Sequence, residues 1–262
     1  MNIIVCMKQV PVKDSLLKIK DDGSWVHEDE LNYEINESDH YALETALRLK
    51  EEHGGEVVIL SMGPERVKEA IKKGLAEGAD RAIHINNETF VTMSPFVNAR
   101  VLAAAIKQEQ VDLVLTGLQT DDYGSAQTGV VLAEYLGLPH ASIVMEIQKQ
   151  DGHVKVKREL ESGWFQWVEM PLPALLTIQS GINQIRYATI KGIMMAKKKE
   201  IKVLGLSDLG LSEADVDESG SSVKFKKIYI PAKTKQSQMF EGEPKDVAEQ
   251  LVDKLKNEAK VL

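Results

Sequence analysis

The sequence predicts a doubly wound α/β fold built on a mostly parallel sheet, and three features carry that prediction. Short β-branched runs alternate with amphipathic helical patterns from the N-terminus to about Met145. The runs are apolar without alternation, as strands covered on both faces are. The links between them are short and punctuated by Gly and Pro, as in repeated strand–helix–strand units.

Taken in order, Ile3 to Met7 is the first strand. A helix starts near Asn36, with Ser38 or Asp39 as N-cap and Ala42, Leu43, Ala46 and Leu47 as its apolar stripe. Gly54-Gly55 stops it, and Val57 to Ser61 is the second strand. Gly63-Pro64 turns into a helix with Val67, Ala70, Ile71 and Leu75 inward, ended by Gly78. Arg81 to Ile85 is the third strand. Ser94-Pro95 opens a helix that buries Val97, Val101, Leu102, Ala105 and Ile106. Asp112 to Thr116 is the fourth strand, and after a polar loop a helix runs from Thr128 to Leu136. Right-handed crossovers put such helices on both faces of the sheet.

After Ala141 the texture changes. Ser142–Ile147, Val154–Leu160, Trp164–Val168 and Leu175–Gln179 read as strands of an antiparallel extension, with Asp151-Gly152 and Ser162-Gly163 as hairpin turns. Trp164, Phe165 and Trp167 are expected to pack in the core or on a sheet face. Ile190 to Ala196 reads as a helix, and Lys197–Lys199 as the basic end that complements its dipole. Residues 1–205 are expected to form one domain. From about Leu206 the chain becomes a polar arm with a strand-like piece at Lys226–Ile230 and a final helix from Pro244. With few large apolar groups the arm, 206–262, has too little to bury alone and lies on the same chain or on a partner.

With 32 Lys+Arg against 40 Asp+Glu, the net charge is −8. That sign disfavours nucleic acid and anionic membranes as partners. The single cysteine, Cys6, lies in a buried strand, so it cannot form an internal disulfide and reads as a small hydrophobe. The apolar N-terminal run is too short for a signal peptide or a membrane span, so the expectation is a cytoplasmic, reduced protein. There is no Walker A sequence, no Gly-x-Gly-x-x-Gly after the first strand and no Gly-x-Ser-x-Gly elbow. The six histidines are scattered, without metal-ligand spacing, and each reads as a solvated surface group. Catalytic residues are therefore not expected.

Ligands of such a sheet sit at the carboxyl ends of its strands. Three loops converge there, after Met7-Lys8, after Ser61-Met62-Gly63, and from Gly117 to Gly129. In the last, Ser125, Ala126, Gln127 and Thr128 precede a helix and present amides and hydroxyls at its N-terminus, a geometry that receives phosphate. An ordinary capped loop would have the same composition. At Asn36–Asp39, the local pattern favours a plain helix cap over a reader of base or ribose.

Four segments make the chain resemble the beta subunits of electron transfer flavoproteins. They are Val5-Cys-Met-Lys-Gln9 with Asn36; Ser61-Met-Gly-Pro64 with Gly78-Ala-Asp-Arg81; the Gly117–Gly129 loop; and Arg158-Glu159 leading to Pro173-Ala-Leu-Leu-Thr177 and Arg186–Lys197. The resemblance implies a Rossmann-like sheet of the adenine nucleotide alpha-hydrolase type. It also implies a heterodimer whose alpha subunit carries most of the FAD site and which passes electrons from dehydrogenases, typically acyl-CoA dehydrogenases, to a quinone-linked oxidoreductase. By the same resemblance, structural AMP would be held by Cys6, Asn36, Glu37, Ser38, Asp39, Met62, Gly117, Leu118, Gln119, Thr120, Asp121, Asp122, Tyr123, Gly124, Ser125, Ala126, Gln127 and Thr128. It overrides the cap reading at Asn36–Asp39.

Arg186, Tyr187, Ala188, Thr189, Ile190, Lys191, Gly192, Ile193, Met194 and Met195 match a segment that grips the dehydrogenase, with Ile190 where a leucine usually anchors. Glu159 matches a glutamate that gates the mobile FAD domain, and the arm would wrap on the alpha subunit. Electron-bifurcating members hold a second FAD where others hold AMP. The run Asp121-Asp122-Tyr123-Gly124-Ser125 departs from both patterns, whereas Ala126-Gln-Thr-Gly129 is closer to the AMP-holding form. A free-standing adenine-nucleotide binder or ATP-hydrolysing protein on a similar sheet is the alternative from another class.

Overall fold

The structure is a computed structural model; it describes residues 1–86, 94–217, 223, 225–232 and 237–262. Two compact units are present, Met1–Lys227 and Ile228–Leu262.

In the first unit a nine-stranded sheet has the order β11-β5-β4-β1-β6-β10-β7-β8-β9. The strands are β1 (Asn2–Cys6), β4 (Glu56–Gly63), β5 (Arg81–Asn86), β6 (Leu113–Gly117), β7 (His140–Gln150), β8 (His153–Glu159), β9 (Phe165–Pro171), β10 (Ala174–Ile178) and β11 (Ile201–Leu204). A separate two-stranded antiparallel sheet pairs β2 (Gln9–Pro11) with β3 (Tyr33–Ile35). The helices of this unit are α1 (Glu37–His53), α2 (Val67–Glu77), α3 (Pro95–Ile106), α4 (Thr128–Leu136), α5 (Ile190–Ala196) and α6 (Glu213–Val216).

All pairings from β11 through β7 are parallel, and β8 and β9 add an antiparallel hairpin at one edge. The doubly wound expectation is met. Alternate residues of each central strand feed two cores. Ile3, Val5, Val57 and Ile59 face α1 and α2, while Ile4, Val58, Leu60 and Val114 face α3 and α4. Both faces are apolar because both are covered.

Several expectations need correction. The 175–179 strand belongs to the parallel sheet, since β10 inserts between β6 and β7 and pairs parallel with each. Its uniformly buried residues are the mark of a central strand. Residues 226–230 form no strand, and the boundary between the two units falls inside them. His84 is fully buried, with Nε2 2.8 Å from the Gly63 carbonyl oxygen, so it is no surface group. Trp164, Phe165 and Trp167 are exposed, Trp164 by 74%. Lys155 and Lys157 lie over the rings of Trp167 and Phe165, a cation–π arrangement suited to aromatics facing solvent.

The polar stretch after Leu206 begins on the sheet. Leu209 and Val216 are buried in the core on the α3 side, and Arg100 Nη1 donates to the Asp215 carbonyl. Lys199 also differs from expectation: its ammonium donates to the carbonyls of Leu75 and Ala79, so it closes the C-terminal end of α2 rather than that of α5. In the second unit, α7 (Pro244–Asn257) has Pro244 at its first turn and Lys254 and Lys256 in its last. Among the described residues no helix is long and apolar enough to cross a membrane.

Candidate functional site

A cavity of about 450 Å³ opens at the carboxyl edge of the sheet, within the range of small-molecule sites. Its walls come from the ends of β1 and β4, the first turns of α3, the long loop after β6, and Val223, Phe225 and Lys226.

The loop is fixed from behind by the start of α1. Asn36 is the N-cap residue, but neither its side chain nor those of Ser38 and Asp39 caps the helix. They bond across to the loop instead. Asn36 Nδ2 and Ser38 Oγ both donate to the Gln119 carbonyl, at 3.0 and 2.6 Å, and Asn36 Oδ1 accepts from Asp121 N at 2.9 Å. Asp39 accepts from Gly117 N through Oδ1 and from Lys8 N through Oδ2, both at 2.8 Å. A single carboxylate thus ties the end of β6 to the end of β1. Burial pushes the Asp39 carboxyl up to about 6, against the lowering effect of those two amide bonds.

Gly117 makes this approach possible. A Cβ there would overlap Ser38 Oγ and Asp39 Oδ1, and one on Gly129 would press on Thr116 and Thr177. Between these glycines the loop turns twice through left-handed conformations, at Gly124 (φ 59°) and at Ala126 (φ 54°). An alanine in that region stores strain of about 1 kcal/mol, and such residues gather at functional sites. The loop delivers Ser125, Ala126, Gln127 and Thr128 to the cavity wall, with Gln127 as the N-cap residue of α4 and no side chain capping that end. Its first amides therefore have no side-chain partner.

Lys8 adds a cation to the wall. Its ammonium lies 2.6 Å from Asp122 and 4.3 Å from the centre of the Tyr123 ring. Tyr123 stacks on Trp25 with centroids 5.3 Å apart, and Phe225 meets Trp25 edge-on. Cys6, Leu60, Met62 and Leu102, which pack in one cluster, form an apolar part of the wall. Burial, with a smaller contribution from Asp39, pushes the Cys6 thiol far above its ordinary range, so it stays protonated and inert as a nucleophile.

Of the residues expected to hold a nucleotide, Cys6, Asp39, Met62, Gly117, Leu118, Gln119, Thr120, Tyr123, Ser125, Ala126, Gln127 and Thr128 line the cavity. Asn36, Ser38 and Asp121 stand behind it in the bonding described above. Glu37 pairs with Lys13, Asp122 with Lys8, and Gly124 shapes the turn. Sequence reasoning placed Lys8 at a strand end without assigning it to the wall, and missed Ser94, Asn98 and Leu102 of the α3 end and Phe225 and Lys226. The Asn98–Leu102 spacing of four on a helix beginning at a strand's carboxyl edge could have flagged that pair. Nothing local marks Phe225.

The segment 186–195 lies away from the cavity. Arg186 is clamped to α1, with Nε 2.7 Å from Glu44 Oε2 and Nη1 2.5 Å from Glu51 Oε1. Burial alone would raise the Glu44 carboxyl, but the bonds from Arg186 and Arg48 outweigh it and hold it below the usual range. Asn183 Nδ2 donates to Thr45 Oγ1 and the Tyr41 carbonyl, so the anchoring covers the run before Arg186 as well. Thr189 caps α5 by accepting from Gly192 N, and Gly192 sits so close to α2 that a Cβ would overlap the Ala76 carbonyl. Ala188 packs against the core. Tyr187, Ile190, Lys191, Ile193, Met194 and Met195 face outward, Tyr187 by 94% and Ile190 by 81%. Glu159, at the end of β8, is half-buried and accepts from Gln179 Nε2 at 3.1 Å.

Comparison with known proteins agrees with this architecture. Residues 24–209 match the model of the electron transfer flavoprotein domain. The chain is 40% identical over 256 residues to the electron transfer flavoprotein subunit beta of Methylophilus methylotrophus, covering 96% of this chain and 97% of that protein. It is 38% identical over 265 residues to the subunit of the same name from Bradyrhizobium diazoefficiens and 34% over 271 residues to that of Bacillus subtilis, with both chains covered in full. The chain belongs to the electron transfer flavoprotein family, among its beta subunits.

Proposed function

We propose that this chain is the beta half of a heterodimeric electron carrier that holds AMP as a structural ligand in the cavity at the carboxyl edge of its sheet. The observation that carries the reading is the join between the 117–129 loop and α4, where uncapped helix amides, Lys8 and an apolar part of the wall meet at one cavity. An adenylate fits that donor set. Its phosphate suits the α4 amides and a lysine, and its base suits the wall formed by Cys6, Leu60, Met62 and Leu102. In this reading the chain's own residues bind and orient the ligand, and the cavity's Cys6 stays protonated.

FAD, which would be held mainly on the alpha subunit, would supply the redox chemistry by which the pair carries electrons from dehydrogenases, acyl-CoA dehydrogenases among them, to a quinone-linked oxidoreductase. In this reading 186–195 docks the dehydrogenase, with exposed Ile190 as the apolar anchor. Glu159 pairs electrostatically with the FAD-bearing domain, and residues 206–262 include the arm that lies on the alpha subunit. The setting is cytoplasmic. Exposed Trp164, Phe165 and Trp167 are consistent with a chain that covers more of its surface in a complex.

The test is chemical. The purified alpha–beta pair is denatured, and the released cofactors are separated and weighed by mass spectrometry. One FAD and one AMP per pair is the expected result. Two flavins and no AMP would mean a bifurcating carrier with flavin in this cavity, and no adenine compound beyond a single FAD would overturn the adenylate reading.

A further inference from the structure

The rim of the cavity carries aromatic rings that the sequence keeps far apart. Tyr123 and Phe225 both line the cavity, and Tyr123 is also 38% exposed, which places it at the mouth. Both rings meet Trp25. Tyr123 stacks on it with centroids 5.3 Å apart and planes 16° apart, and Phe225 approaches edge-on at 6.2 Å. These are the favoured arrangements of aromatic pairs.

Trp25 is carried by residues 12–32, the excursion between β2 and β3. Lys20 N donates to the Trp25 carbonyl and His27 N to the Lys18 carbonyl, both at 2.8 Å, so the tip of the excursion is a small hairpin. The indole Nε1 donates to Glu28 Oε1 at 2.9 Å. Glu28 lies 3.7 Å from Arg66, whose Nη1 donates to Gln9 Oε1 at 2.7 Å. The indole is thus braced from the start of α2 and from β2, with its ring against Tyr123.

Tyr123 passes that support into the site. Its amide donates to Asp122 Oδ1 at 2.8 Å, while Asp122 Oδ2 holds the Lys8 ammonium, which lies 4.3 Å from the Tyr123 ring centre. The cavity's lysine, the 120–124 turn and the rim ring form one bonded unit, and Trp25 is its outer support. Opening the mouth on this side separates the stack.

We propose that Trp25 is a positioning residue for the bound nucleotide: by clamping Tyr123 and Phe225 it keeps the mouth of the cavity narrow and slows release. This rests on the adenylate reading of the cavity and adds the residue that sets how long the ligand stays.

The test uses the full-length chain in its pair with the alpha subunit, purified with AMP bound and diluted into an excess of isotope-labelled AMP. Mass spectrometry of the retained nucleotide follows the exchange. Trp25→Leu keeps apolar bulk without a ring and is expected to release AMP about 3- to 10-fold faster, the scale of one aromatic pair. Trp25→Phe keeps a ring for the stack and is expected to lie nearer the unaltered rate than Trp25→Leu does. A ring that served the fold alone would lower the denaturation midpoint and leave exchange as it was. An exchange rate in Trp25→Leu equal to that of the unaltered pair therefore overturns the clamp and leaves the adenylate reading standing. Equal acceleration in both variants overturns it as well, because the ring is then not what holds Tyr123. Phe225→Leu removes the edge-on contact from the other side and is expected to speed exchange by a smaller factor. Where Trp25→Leu yields no folded pair, an unchanged rate in Phe225→Leu overturns the clamp. An unaltered pair that holds no AMP and takes up none of the label overturns the adenylate reading instead.

Discussion

The cavity loop and the exposed segment around α5 lean on successive stretches of one helix, yet they are built from opposite materials. At the start of α1, Asn36, Ser38 and Asp39 are buried and spend their side chains on the backbone of residues 117–121. Further along, Tyr41, Glu44, Thr45, Arg48 and Glu51 hold residues 183–186 through ion pairs and carbonyl contacts nearer to solvent. The first arrangement fixes a concave polar site from behind. The second fixes only the root of a segment and leaves its apolar tip, Tyr187 and Ile190, in water. On the proposed reading, the small-ligand site is the one held rigidly from behind, and the partner-docking site is the one anchored at its root and uncovered at its tip.

If the cavity is held that rigidly, adding bulk at its tightest point should cost most. Gly117→Val is expected to destabilise the chain by about 3 kcal/mol or more, because the new side chain meets the buried Ser38 and Asp39 with no space to yield. Urea denaturation measures this directly. A loss below about 0.5 kcal/mol, typical of a surface change, would show that the start of α1 is free to move away.

Next comes pH. The Asp39 carboxyl titrates near 6 in the folded chain, against 3.8 as its ordinary value. Between those values the unfolded chain has released a proton that the folded chain still holds. Stability from this group is therefore fully present below about pH 4, falls as pH rises through 6, and levels off above it. A difference of 2.2 between 6 and 3.8 corresponds to roughly 3 kcal/mol at most. Asp39→Asn, which has no proton to lose, is expected to abolish that slope in denaturation midpoints taken from pH 4 to 8. Equal slopes in both proteins would mean that the two amide bonds to Asp39 compensate its burial fully.

Much of this frame was legible in the sequence, and the reasons for the gaps are physical. Central strands such as Val57–Ser61 and helices such as Thr128–Leu136 announce themselves because burial on both faces and Gly or Pro at the ends are local properties. The placement of β10 between β6 and β7 is not local. Its neighbours are fixed by a crossover through α4, so a run following two hairpins looked like a third. The stretch 36–39 had the composition of a cap, but its side chains answer to a loop some 80 residues away, which only the resemblance to a known family suggested. The edge strand β11 and the pair β2–β3 are too short to stand out by pattern. Lys8 already stood at the strand end where a ligand was expected, whereas Asn98 became a candidate for the cavity only once α3 was seen to converge on it.

The smallest effects should separate the root of the exposed segment from its tip. Ile190 is largely exposed, so Ile190→Ala is expected to leave the urea midpoint almost unchanged. Its cost should fall on the complex: about 2 kcal/mol, or near thirtyfold, in affinity for the partner dehydrogenase, as for an apolar anchor. Glu44 is the reverse case, buried and bonded to Arg186 and Arg48. Glu44→Ala leaves Arg186 with Glu51 alone and is expected to cost about 2 kcal/mol of folding stability. It should also weaken docking by less than Ile190→Ala does, because the tip is intact but its root has lost a fixed orientation. Calorimetric titration of each variant pair with the dehydrogenase, set beside its denaturation curve, gives both numbers. Should Glu44→Ala lower stability yet dock like the unaltered protein, the clamp on Arg186 would serve the fold alone, and the exposed segment would find its own geometry on the partner's surface.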